Sequence, residues 1–112
     1  MHWPAPVVSK DVDQERGPVL VTVEYRVAAQ DREDFLAAIR PVAAERRRDG
    51  AYQWGIFQDT ADEERWLETF LVDSWAEHLR QHERVTRADL ACELALRQFQ
   101  SGPPLVDHFI AP

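Results

Sequence analysis

At 112 residues the chain is one domain, long enough for a core yet short enough that pairing with a second copy would add stability. Apolar residues make up 45 % of it, which excludes a disordered chain. A net charge of −7 argues against nucleic acid and anionic membrane surfaces as partners, because both demand an excess of Lys and Arg.

Residues 1–18 carry Pro4, Pro6, Pro18 and the charged run from Lys10 to Arg16, the composition of an extended tail or linker. Trp3 is the exception, a side chain suited to docking on a neighbouring surface or sitting at a membrane interface. Residues 19–112 are expected to form the folded domain. From Val19 to Val27 the chain alternates strictly: Val19, Val21, Val23, Tyr25 and Val27 share one face of a strand, and Leu20, Thr22, Glu24 and Arg26 the other. A helix follows from Asp31, its N-cap, with Phe35, Leu36, Ile39, Val42 and Ala43 as the buried stripe and Gly50 as the stop. Pro41 lies inside that pattern and removes the bond to the Ala37 carbonyl, at a cost of roughly 3 kcal/mol for proline in a regular helix, so a kink or a second short helix is expected there. Arg46, Arg47 and Arg48 read as a solvated helix end, where positive charge complements the exposed carbonyls.

Ala51 to Gln58 and Arg65 to Val72 read as two further strands, separated by a turn-rich acidic segment. Ser74 with Glu77 three residues on is a capping-box start. In the helix that follows, Trp75, His78, Leu79 and His82 form one stripe and Glu77, Arg80, Gln81 and Arg84 the opposite one. Thr86 with Asp89 restarts a helix to Phe99, and Leu105 to Ile110 is a last short strand. The order βαββααβ defines an α+β, ferredoxin-like domain with a four-stranded antiparallel sheet and helices on one face. The mixed outer face of the first strand suits a partner sheet, so a homodimer through the sheet is expected.

The residues that could meet a ligand are Arg26, Trp54, Trp66, Glu68, Trp75, His78 and His82. The three tryptophans are either core filling or the wall of a pocket for a small, flat aromatic molecule. Glu68 shares a strand face with Trp66 and Phe70, so its carboxylate needs a partner, for which Arg26 or a histidine is the natural choice. His78 and His82 have the spacing of two zinc ligands, but a third could come only from Glu68, Cys92 or His108. Structural histidines are the commoner outcome, so no metal site and no resident cofactor are expected. Cys92 sits among alanines as a small hydrophobe; being the only cysteine, it forms no disulfide within the chain, which suits a reducing, cytoplasmic setting. No apolar run approaches the roughly 18 residues of a membrane helix, and the N-terminus lacks a signal-peptide core, so the chain itself is not expected to insert or be exported.

The segments Gly17 to Val27, Arg48 to Gly55 and above all Glu68 to Thr86 resemble the soluble cytoplasmic C-terminal domain of major-facilitator exporters of the transmembrane-secretion-effector group, relatives of siderophore exporters. Trp3, Pro4 and Pro6 are similar to the segment that follows the last membrane helix there. The resemblance implies the fold of the antibiotic-biosynthesis-monooxygenase-like superfamily, a dimeric α/β barrel, in a domain tethered to the membrane by its parent transporter. It also implies an accessory, ligand-sensing or dimerising role without catalysis. Oxygen-using and haem-degrading members of that superfamily resemble one another in using an asparagine, whereas this chain has none and carries Tyr25-Arg26 where Asn-Arg would stand. The alternative the resemblance leaves open is a cofactor-free monooxygenase or a haem-binding enzyme, with His78 as the polar or axial group and Arg26 orienting an anionic substrate.

Overall fold

The computed structural model describes residues 16–83, 87–100 and 103–112, with the side chains of 81–83, 87–90 and 93 outside that description. Its elements are β1 (Val19–Arg26), α1 (Arg32–Arg48), β2 (Tyr52–Gln58), β3 (Arg65–Val72), α2 (Trp75–Glu83), α3 (Arg87–Arg97) and β4 (Leu105–Ile110). The strands form one antiparallel sheet in the order β2-β3-β1-β4, the ferredoxin-like arrangement expected from the sequence. Among the described residues no helix is long and apolar enough to cross a membrane. Trp3, Thr86 and the rest of residues 1–15 and 84–86 lie outside the described residues.

Two-residue alternation decides which side chains reach the core. In β1, Val19, Val21, Val23 and Tyr25 are buried, and in β3 so are Trp66, Glu68, Phe70 and Val72. The register sets Val21 between Phe70 and His108, and Val19 between Val72 and Ile110, so all three strands turn one face to the helices. There Phe35, Ile39 and Val42 of α1 and Leu96 of α3 close a single core.

The start and stop signals act as read, with one difference inside the first helix. Asp31 is the N-cap of α1, entered from a 3-10 turn at Ala29–Asp31, though its side chain makes no capping bond. At the other end, Gly50 takes φ 106°, its N–H donates to the Arg47 carbonyl (3.1 Å), and the Ala51 N–H donates to the Arg46 carbonyl (2.8 Å). That is a Schellman stop, which needs a left-handed residue just past the helix. Pro41 does not divide α1, which continues to Arg48. Ala37 and Pro41 are both exposed, so the bond lost to proline falls on the solvent side, where water replaces it. The Ser74 hydroxyl accepts from the Glu77 N–H (3.1 Å), the cap expected for α2.

Residues 16–18, assigned to the tail from composition, are tied into the fold. The Arg16 carbonyl accepts from the Trp75 N–H (2.8 Å) and the Pro18 carbonyl from the Ala111 N–H (3.0 Å). Gly17 runs so close to the turn before α2 that a Cβ there would stand 2.0 Å from the Asp73 carbonyl oxygen.

Candidate functional site

β3 carries a carboxylate to the centre of the core face. Glu68 is 0 % exposed, and both of its oxygens are engaged. Oε1 accepts from the Tyr25 hydroxyl (2.8 Å) and Arg46 Nη2 (3.1 Å), and Oε2 from Arg46 Nε (2.9 Å) and Trp54 Nε1 (2.8 Å). One carboxylate thus ties β3 to β1, α1 and β2. The partner expected for it was Arg26 or a histidine; it is Arg46. Arg26 has the outward parity of β1 and lies on the opposite face of the sheet, exposed and paired with Asp62 and with Glu24 (3.9 Å). Nor are Arg46 to Arg48 uniformly a solvated end: Arg47 and Arg48 are exposed, while Arg46 turns inward and lays its guanidinium 5.2 Å from the centre of the Phe70 ring.

Arg46 was legible in principle. It stands four residues after Val42 and three after Ala43, so it continues the buried stripe of α1. Tyr25 likewise belongs to the inward set of β1. Trp54 reaches the same carboxylate because β2 is irregular between Tyr52 and Gly55, where Gln53 takes φ 50°. A bulge of this kind re-aims side chains.

Burial alone would push the Glu68 carboxyl up, but the charge of Arg46 and the bonds from Arg46, Trp54 and Tyr25 outweigh it and hold the carboxyl below its ordinary range. Tyr25 moves the other way: burial first, then the adjacent Glu68 charge, push its hydroxyl well above 10. The two shifts frame a pH window. A lowered Glu68 contributes stability that is present above the unfolded carboxylate value of about 4.3 and is lost as pH falls through the folded value. A raised Tyr25 contributes stability that is present below about pH 10 and is lost as pH rises through its folded value. Urea midpoints should therefore be flat between about pH 5 and 9 and decline on both sides, and in Tyr25→Phe the alkaline decline should weaken.

The remaining candidates occupy other surroundings. Trp66 packs 5.7 Å from Phe35 in the core, with the Arg32 guanidinium 5.7 Å from its ring. Trp75 and His78 lie 5.7 Å apart by ring centre, and His78 is 0 % exposed. His108 of β4, offered from sequence only as one of three possible third ligands, stands 4.6 Å from His78 and 5.9 Å from Trp75. The His82 side chain lies outside the described residues. The other six candidates are thus divided among a carboxylate network, an aromatic core, a histidine pair and the outer face. Among the described residues no three of His, Cys, Asp and Glu gather as a metal cluster.

Solved structures share this fold. A candidate antibiotic biosynthesis monooxygenase from Caulobacter crescentus superposes with a TM-score of 0.73 at 16 % identity, over 88 % of this chain and 93 % of its own. One from Nitrosomonas europaea gives 0.71 at 16 %, over 89 % and 95 %. A conserved protein from Methanosarcina mazei gives 0.70 at 10 %, over 86 % and 94 %. At these identities the likeness establishes the fold, an α+β domain like that of the antibiotic biosynthesis monooxygenases. The chain belongs to the transmembrane secretion effector family, whose pattern matches residues 1–111. Comparison with curated proteins returns no match.

Proposed function

We propose that this chain is a non-catalytic accessory module of a small-molecule exporter, acting on the cytoplasmic side and pairing with a second copy through its sheet. The observation that carries the non-catalytic part is the saturation of Glu68. A general base needs a free lone pair and access to a substrate proton. Here four donors occupy the two oxygens at zero exposure. The family match over residues 1–111 supports the link to secretion.

The pairing part rests on the face turned away from the helices. Leu105, Phe57 and Phe109 are 64, 59 and 55 % exposed there, beside Leu20, Leu67 and Leu71. At one end Arg65 pairs with Glu24 (2.7 Å) and Asp59 (3.0 Å), and Arg26 with Asp62, so the charges on that rim are already matched within one chain. Asp107, Thr22 and Thr69 cross the middle of this face between the two apolar rows, so it offers a partner sheet apolar area mixed with polar groups, the composition of an ordinary protein–protein interface.

Two measurements test the reading. Light scattering at micromolar concentration should give twice the 13.0 kDa chain mass, and Phe109→Asp should return it to the monomer; a monomeric wild type overturns the pairing. Haem titration and oxygen uptake with a quinol should show neither a Soret shift nor turnover. A Soret shift abolished by His78→Ala, or oxygen consumption, would establish the enzyme class instead.

A further inference from the structure

We infer that the outer face of the sheet binds an elongated aromatic ammonium compound, with Asp107 as its counter-charge and a second copy of the chain closing over it. The inference rests on the pairing through the sheet proposed above. The register lines up one residue from each strand: Gly55 pairs with Thr69, Thr69 with Thr22 and Thr22 with Asp107. A polar row therefore runs straight across the sheet from β2 to β4. Three strand spacings of about 4.8 Å make it roughly 14 Å long. Its two ends differ. At the β2 end the Phe57 ring is folded over Gly55, where a Cβ would stand 2.6 Å from Phe57 Cε2. At the β4 end stands the exposed Asp107 carboxylate, flanked along its strand by the exposed Leu105 and Phe109.

Charge balance selects a cation. Glu24, the other carboxylate on the strands of this face, pairs with Arg65 (2.7 Å), while Asp59 and Asp62 engage Arg65 and Arg26. Among the described residues Asp107 has no ion pair, so it is the unmatched charge of the face. A sheet laid over it takes Asp107 out of water, and a carboxylate buried without a partner is costly. Neither arginine of the face can come across from the partner without abandoning its own carboxylates. A primary ammonium supplies the missing charge together with three donors. The Thr22 and Thr69 hydroxyls suit a polar middle, and the Phe57 ring an aromatic end. An anion of the same shape meets repulsion from Asp107 and from the chain's net charge of −7.

The test is a titration of the whole chain with dansylcadaverine, a naphthalene sulfonamide on a five-carbon ammonium arm whose extended length is comparable to that of the row. Its emission should rise and shift to the blue as the naphthalene leaves water, saturating at one probe per chain. Light scattering should show a larger dimer fraction with the probe present, because a ligand held between two copies stabilises the pair. The carboxylate analogue, with the same fluorophore and arm, should bind at least about tenfold more weakly. Asp107→Asn should lose about tenfold in affinity for the cation, the difference between a charge-assisted hydrogen bond and a neutral one. Without the probe that variant should dimerise more tightly than wild type. The inference is overturned if a dimeric wild type leaves the probe in water or takes the carboxylate analogue as readily. It is equally overturned if a folded Asp107→Asn binds the cation unchanged; should the variant fail to fold, the preference of wild type between the two probes decides. A chain that stays monomeric with the probe present overturns the pairing itself, and this site with it.

Discussion

Replacing Arg46 with methionine should lower stability at pH 7 by about 3–5 kcal/mol, the usual consequence of leaving one member of a buried ion pair behind. Glu68 would keep its charge at zero exposure with only the Tyr25 and Trp54 bonds to stabilise it. The double variant Arg46→Met with Glu68→Gln should recover a large part of that loss. Its amide oxygen accepts from Trp54, its NH2 donates to the Tyr25 hydroxyl oxygen, and no buried charge remains. Urea unfolding of wild type, single and double variants measures both effects. A double variant no more stable than the single one would show that Arg46 contributes by packing on Phe70 and not by charge.

Phe35→Ala should cost a similar amount, about 3–5 kcal/mol, through a different cause. Phe35 is 0 % exposed and its ring stands 5.4 Å from Tyr25, 5.7 Å from Trp66 and 6.1 Å from Phe99. Its removal opens a cavity where β1, β3, α1 and the end of α3 meet, and rigid aromatic neighbours cannot collapse into it. Leu94→Ala on the exposed side of α3 is the control, expected within about 0.5 kcal/mol of wild type. Equal losses at the two positions would mean that the core is not centred on Phe35.

The architecture was readable because each of its signals is local. Val19 to Tyr25 alternate, Ile39 and Val42 mark a helical stripe, and Gly50 and Ser74 mark a helix stop and start; each acts within a few residues of itself. The Glu68 network was not read, although its parts were visible. The parity of β1 already placed Arg26 opposite to Tyr25, so Arg26 could not have reached a carboxylate on the Tyr25 side. The inward Arg46 was masked by two arginines that do face solvent, because a charge run is easily read as a unit while a helix turns 100° between its members. Trp54 depended on an irregularity at Gln53 that no turn residue announces, and His108 on a register between strands some 80 positions apart. Such pairings are set by the whole fold and leave no local mark.

The bonds at Arg16, Pro18 and Ala111 have a consequence for how the polypeptide could be rewired. Arg16 Nη2 also donates to the Ala111 carbonyl (3.0 Å), so the first and last described residues that carry structure meet at one corner of the sheet. A short flexible link would join Ala111 to Arg16 across this corner, and new ends could be opened at the exposed Thr60–Ala61 turn. Such a circular permutant would keep every strand pairing while converting the β1–β4 closure, the most distant in sequence, into the most local contact of the fold.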